Sequence, residues 1–342
     1  MENIIRTMIY LSAGLFMGWS LGANDAANIF GTAVTTRMVR FRTAAMIMGI
    51  MIALGAVVSG AGPVETLGSL GAIINMEEAF IVSLTAALAV LLMTKRGLPV
   101  STSQAIVGAI VGWNLQKGDS IQVDVLYRIV GTWVFAPVLG AIFAMIFYLC
   151  LKSLRKHTRV HILKEDRFLR LALLAAGAFG AYSLGANNMA NVVGVFTNSV
   201  HVGDLTIMGW RIFTGQQWLF LLGAAAVALG VFTYSHRVME TVGNDIVRLT
   251  PAAALVVVLA SASVLFIFAS QGLKNTLIMV GLPSFPLVPV SQSQTVVGAV
   301  VGIGLIRGGR NLNLRKLAMI AGGWVVTPLL AMVLSFFLLS FY

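Results

Sequence analysis

The chain has 342 residues, of which 58% are hydrophobic and only 10% charged. Soluble domains carry about 25% charged residues, so this composition excludes a water-soluble globular protein. The net charge of +11 and the single cysteine, Cys150, add two exclusions. The basic residues lie between apolar runs and so report membrane topology rather than nucleic-acid binding, and one cysteine allows no internal disulfide framework.

In chain order, apolar segments are expected as helices at 4–34, 43–62, 78–94, 99–115 and 128–151, then at 168–196, 216–234, 251–270, 289–306 and 317–341. Many windows approach the roughly 20 residues needed to cross a bilayer, so the lipid bilayer is the first partner. The working count is ten spans in two sets of five. The strongly basic stretch "KSLRKHTRVHILKEDRFLR" at 152–170 joins a first transmembrane repeat at 1–151 to a second at 171–342. The first apolar run resumes directly after a polar motif, unlike a cleaved leader.

Alternating the loops across ten spans places 18 of the 23 Lys and Arg residues on one side, among them Arg37, Arg40, Arg42, Lys95, Arg315 and the linker cations. The excess of basic loops on the cytoplasmic side then puts the linker inside and both termini outside a cytoplasmic (inner) membrane. Five spans per set is an odd number, so the two sets insert with opposite orientation. Three matched blocks in the same order support a true repeat: "GANDAAN" (22–28) with "GANNMAN" (185–191), "LPVSTSQAIVGAIVGWNL" (98–115) with "VPVSQSQTVVGAVVGIGL" (288–305), and "GTWVFAP" (131–137) with "GGWVVTP" (322–328). The second half carries extra residues around "METVGNDIVRLTP" (239–251), read as a cytoplasmic loop. The expected fold is thus an all-α polytopic membrane protein made of two inverted-topology repeats of about five spans each. Broken or re-entrant helices are expected at mid-membrane, an arrangement that recurs in secondary transporters with the substrate site at the repeat interface.

Asp25 is the acidic residue that lies inside an apolar run, where an ionised Asp costs about 2.5–3.5 kcal/mol. A bland alternative is a carboxyl hydrogen-bonded within a helix bundle. Its neighbours Asn24 and Asn28, and the repetition of the motif, favour a cation site, because carboxylate and amide oxygens suit hard cations. Gly22 and Gly185 are expected to let the two helices open and free backbone carbonyls. The serine blocks read differently. Ser or Thr at a helix start caps free N–H groups, and helix N-termini favour anions. Ser101, Thr102 and Ser103 are therefore expected to face Ser291, Gln292 and Ser293 across the two-fold axis as an anion site. No Lys, Arg or His lies in either motif or either serine block. An anion beside Asp25 would be repelled unless cations arrived with it, which argues for symport over a simple pore. No metal-ligand spacing involves the four histidines, there is no HExxH, GxSxG or Walker A stretch, and a lone intramembrane carboxylate lacks an acid–base or nucleophilic partner. An enzyme is not expected, and neither is a cofactor.

On the duplicated "GANDAAN"/"GANNMAN" blocks, the duplicated "PVS" blocks, the "WVxxP" pairs and "ETVGNDIVRLTP", the chain resembles the inorganic phosphate transporter (PiT) family along essentially its whole length. The resemblance implies uptake of inorganic phosphate by symport with Na⁺, or H⁺ in some members, often by a homodimer. Carried over, it implies cation and substrate ligands at Asn24, Asp25, Asn28, Asn187 and Asn191, and anion ligands at Ser101, Thr102, Ser291 and Ser293. Three positions depart from the family's usual pattern. Asn188 stands where an Asp is usual, and Gln104 and Gln294 replace histidines. Asn188, Gln104 and Gln294 are counted with the expected cation ligands. Losing the titratable histidines favours Na⁺ over H⁺. Sulfate permeases of the same superfamily supply the alternative substrate.

Overall fold

A computed structural model of the chain describes every residue except 1, 72, 96–99, 158–161, 201–202, 208–209, 237, 240–248, 309–312 and 341–342. Inside its helices and strands it describes the backbone alone at 2–4, 162–163, 205, 207 and 210–212. Leu98 and Pro99 of the first serine block and residues 240–248 of the second-half loop lie outside the described residues.

The elements are α1 (Glu2–Thr35), α2 (Phe41–Ser59), α3 (Ala61–Gly68), α4 (Met76–Lys95), α5 (Thr102–Lys117), α6 (Val123–His157), α7 (Ile162–Val193), a hairpin of β1 (Leu205–Ile207) and β2 (Trp210–Phe213), then α8 (Gly215–Thr233), α9 (Pro251–Ala269), α10 (Gln271–Met279), α11 (Gln292–Ile306) and α12 (Leu314–Leu339). All ten expected helical segments are present. The short helices α3 and α10 and the antiparallel hairpin, with Thr206 opposite Arg211, are additional, and the hairpin is a small exception to the expected all-α chain. Much of the basic linker is helical, as the end of α6 and the start of α7, with Arg155 and Glu165 paired across the junction.

Among the described residues, seven of the ten segments are long and apolar enough to cross a membrane: α2, α4, α6, α7, α8, α9 and α12. At 1.5 Å per residue, α5 with 16 residues and α11 with 15 extend about 24 and 22 Å, short of the roughly 30 Å hydrocarbon core. That length suits the re-entrant helices expected from the sequence. The 34 residues of α1 are long enough to cross, but its polar motif lowers its hydropathy. Position in the bundle follows composition. The most apolar span, α9, is apolar all round and mostly buried, whereas α6 and α12 are mostly unburied and turn most of their surface outward.

The two halves interleave. α1 packs on α8 and α2 on α7, while α5 packs on α12 and α11 on α6. Each pair has its symmetric counterpart with the halves exchanged, as an inverted repeat requires. The same relation fixes the motif glycines. A Cβ on Gly22 would lie 1.9 Å from the carbonyl oxygen of Val227, and one on Gly185 would lie 2.1 Å from that of Ile52. Here the expectation of helices opened at the asparagine motifs is overturned, since α1 and α7 run through them without a break. Gly22 and Gly185 bring backbones together rather than loosening them. Gly185→Val would force apart the α2–α7 crossing at a cost of about 3 kcal/mol. The expected result is a lower unfolding temperature and poor recovery of monodisperse protein in detergent, and unchanged thermal unfolding would contradict the crossing.

Candidate substrate and cation site

The site starts from the two re-entrant helix ends. Ser101 caps α5 by accepting a hydrogen bond from the Gln104 N–H at 3.2 Å, and Ser291 caps α11 by accepting from the Gln294 N–H at 3.3 Å. The next N–H groups, on Thr102 and Ser103 and on Gln292 and Ser293, have no intrahelical acceptor. The caps are tied to each other. The Ser103 hydroxyl donates to the Val290 carbonyl at 3.4 Å, the Ser293 hydroxyl donates to the Val100 carbonyl at 3.0 Å, and Ser291 and Ser293 Oγ lie 3.0 Å apart. The serine blocks therefore meet across the two-fold axis. Two helix N-termini, each carrying about half a positive charge, face a common point, and such a pair favours an anion.

The α7 motif holds this junction. Asn187 pairs like a strand with the chain entering α11: its Nδ2 donates to the Val288 carbonyl at 3.2 Å, and its Oδ1 accepts from the Val290 N–H at 2.7 Å. Its amide thus fixes Ser291 in place. Asn191 Nδ2 reaches Ser103 Oγ at 2.8 Å, Thr102 Oγ1 at 3.4 Å and Asn188 Oδ1 at 2.8 Å. Two protons serve three acceptors, so the bond to Thr102 is the one that gives way. Asn187, Asn188, Asn191 and Ser103 are completely buried.

The α1 motif is less engaged. α1 runs antiparallel to α7, with Gly14 against Val192 and the Phe30 ring over Gly177, and it also touches α11. Asn24 and Asp25 are buried, and Asp25 Oδ1 accepts from Asn24 Nδ2 at 3.2 Å. Among the described residues no hydrogen bond joins Asn24, Asp25 or Asn28 to the serine blocks. Asn28 is half-buried and lines a gap of about 60 Å³ with Thr32, Val296, Val297 and Val300. The two-fold is therefore broken in detail: the α7 motif is hydrogen-bonded to the start of α5, while among the described residues the α1 motif makes no such bond to α11.

Four buried amide oxygens in these blocks have no donor: Gln104 Oε1, Asn191 Oδ1, Gln292 Oε1 and Gln294 Oε1. A desolvated acceptor left unpaired costs about 1–3 kcal/mol. Such unsatisfied oxygens, like the buried Asp25 carboxylate on α1, are of the type that suits a hard cation. Sequence reasoning passed over a second orphan pair, the indole N–H groups of Trp133 and Trp324. Gly298 lies on the carbonyl of Pro137 and Gly108 on that of Pro328. One turn earlier on each of these helices are Trp133 and Gln294, and Trp324 and Gln104. The repeated "WVxxP" spacing was the available signal, since it places a donor one turn before each contact proline.

The phosphate transporter family matches residues 21–335. The chain belongs to the phosphate transporter family. The match begins just before the first asparagine motif and extends through most of α12, so it covers every site residue named above. A candidate phosphate permease of Pyrococcus furiosus is 28% identical over 405 residues, covering 94% of this chain and 92% of that protein. The sulfate permease CysP of Bacillus subtilis is 30% identical over 336 residues, covering 96% of this chain and 86% of the relative. A solved sodium-dependent phosphate transporter superposes with a TM-score of 0.75 at 24% identity, covering 96% of this chain and 97% of its own. That likeness establishes the fold. A chain of this family with multiple apolar helices is a multi-pass membrane protein.

Proposed function

We propose that this chain imports inorganic phosphate by symport with Na⁺, binding the anion between the N-termini of α5 and α11. The observation that carries the reading is the convergence of two positive helix ends with buried, donorless amide oxygens, in a site without Lys, Arg or His. In this reading Ser101, Thr102, Ser103, Ser291, Gln292 and Ser293 provide N–H and O–H donors to the anion, with Asn28 and Asn191 at its flanks. Asn24, Asp25, Asn188, Gln104 and Gln294 provide oxygens to Na⁺, and Asn187 positions Ser291. Cation and anion neutralise each other on entry. The Arg-rich loops face the cytoplasm, both termini lie outside, and lipid covers α6 and α12 except where a second copy docks in a homodimer. The chemistry is transport without catalysis. The 30% identity to a sulfate permease favours sulfate as the second reading.

The test is uptake of labelled phosphate, and separately of labelled sulfate, into proteoliposomes with Na⁺ and pH gradients imposed independently. Concentrative phosphate uptake driven by Na⁺ alone is expected. Equal uptake from a pH gradient without Na⁺ would reject Na⁺ as the required partner. A second expectation concerns Asn188. Its Oδ1 accepts from Asn191 while its Nδ2 is an orphan donor. Asn188→Asp would keep the first bond and replace the orphan donor with an acceptor. Tighter Na⁺ dependence or a higher Hill coefficient is expected, and an unchanged Na⁺ titration would remove Asn188 from the ligand set.

A further inference from the structure

Below the central site, α1 continues to a second feature that the transport reading leaves unused. Asp25, Asn28, Thr32 and Thr35 are spaced i, i+3, i+7 and i+10, so they form a polar stripe along one face of the helix. Asn28 and Thr32 line the gap beside α11. Thr35 then lines a cavity of about 680 Å³ whose wall includes Arg37, Arg40, Phe41, His236 and Met239 and, among the described residues, no carboxylate. Neither Arg37 nor Arg40 forms an ion pair among the described residues. Phe41 packs edge-on against His236, with centroids 4.9 Å apart.

The backbone there is specific. Arg37 has φ 60° and is the one described non-glycine residue with positive φ. The turn is closed by the Arg37 N–H on the Val34 carbonyl and the Val39 N–H on the Ala33 carbonyl, both at 2.9 Å. This is the position after a helix where Gly is usual, yet it carries a guanidinium at the rim of the cavity.

We propose that this cavity is a second oxyanion subsite, in which the guanidinium groups of Arg37 and Arg40 hold a phosphate-type group at the end of the stripe. Guanidinium forks match tetrahedral oxyanions in charge and geometry. The occupant is either the transported anion, leaving the centre past Asn28 and Thr32, or the headgroup phosphate of an anionic lipid. The first source rests on the transport reading above, and the second does not. Basic loops collect on the cytoplasmic side for topology alone, so the test needs a neighbouring charge as control. Arg42 lies in the same basic cluster, is exposed, and does not line the cavity.

The experiment reconstitutes the full chain in vesicles of phosphatidylcholine, in both orientations, and measures half-saturation for labelled phosphate offered from each face. Arg37→Gln combined with Arg40→Gln is expected to raise it about tenfold from the Arg37 face. From the opposite face it stays within about twofold of the unmutated protein. Arg42→Gln changes neither, and lysine at both positions restores part of the loss. In parallel, added phosphatidylglycerol should raise the unfolding temperature of the unmutated protein but not of the double Gln variant if a lipid headgroup is the occupant. A loss in either arm supports the subsite and identifies its source. No loss in both arms, or the same loss from Arg42→Gln, overturns it. If the unmutated protein moves no phosphate from either face, the transport reading fails, and the lipid arm alone decides the subsite.

Discussion

Asp25→Ala is expected to abolish Na⁺-driven accumulation of phosphate, lowering the initial rate at least about a hundredfold, while the protein still folds. Asp25 is 2% exposed, and the described hydrogen bond to its carboxylate is the 3.2 Å bond from Asn24. One neutral amide does not compensate a buried carboxylate, and no basic side chain belongs to the site. In the proposed symport, a bound Na⁺ supplies the missing positive charge. Removing one partner of a buried ionic pair costs about 3–5 kcal/mol, which corresponds to at least about a hundredfold in affinity. The cost falls on cation binding rather than on folding, because with no cation bound the carboxylate is itself the destabilising group. The check is paired: initial rates at fixed Na⁺ and phosphate, and thermal unfolding of the same preparations. Asp25→Asn separates charge from shape, since it keeps the volume and an acceptor oxygen. It should fail nearly as badly as Asp25→Ala. Retention of more than a tenth of the Na⁺-driven rate in either variant would remove Asp25 from the coupling site.

Hydropathy made the ten helical segments legible, because an apolar run of about 20 residues between charged loops has few structural uses other than crossing or entering a membrane. The repeats were legible through residues that are costly in such runs. The paired asparagines, serines and "WVxxP" blocks recur because both halves build the same packing. The role of the motif glycines was not legible. From sequence, Gly22 and Gly185 permit either an opened helix or a close crossing, and the carbonyls of Val227 and Ile52, distant in sequence, decide for the crossing. Nor does sequence distinguish an asparagine that binds a ligand from one that fixes the chain. Asn187 and Asn191 sit in one motif, yet Asn187 bonds the backbone of Val288 and Val290 while Asn191 bonds side chains at the start of α5. The broken two-fold is likewise a property of packing. Identical spacing in the two halves predicts symmetry, yet Asn191 is bonded to Ser103 at the start of α5 while Asn28, its counterpart on α1, lines a gap beside α11.

Phosphate and arsenate are expected to compete for the central site, with sulfate at least about tenfold weaker. The three anions share size and tetrahedral shape, so the N–H and O–H donors at the starts of α5 and α11 cannot separate them. Acceptors can. Phosphate near neutral pH retains one or two P–OH protons, and sulfate has none. Besides Asp25, the site holds the orphan oxygens of Gln104, Gln292, Gln294 and Asn191, and one that is not engaged by Na⁺ can accept a P–OH hydrogen bond. Sulfate placed there sets oxygen against oxygen with no proton between them, which is how a site rejects a near-isostere. A lost hydrogen bond to a charged group is worth roughly 1.5–3 kcal/mol, or about ten- to a hundredfold in affinity. The measurement is inhibition of labelled phosphate uptake by each anion at fixed Na⁺. If Asp25 is the main acceptor, Asp25→Asn, studied by anion binding rather than by uptake, narrows the gap between phosphate and sulfate. If the amide oxygens carry the discrimination, Gln292→Leu narrows it instead. Sulfate competing as well as phosphate in the unmutated protein would mean that none of these oxygens reads the P–OH proton, and the sulfate reading would then take the place of phosphate.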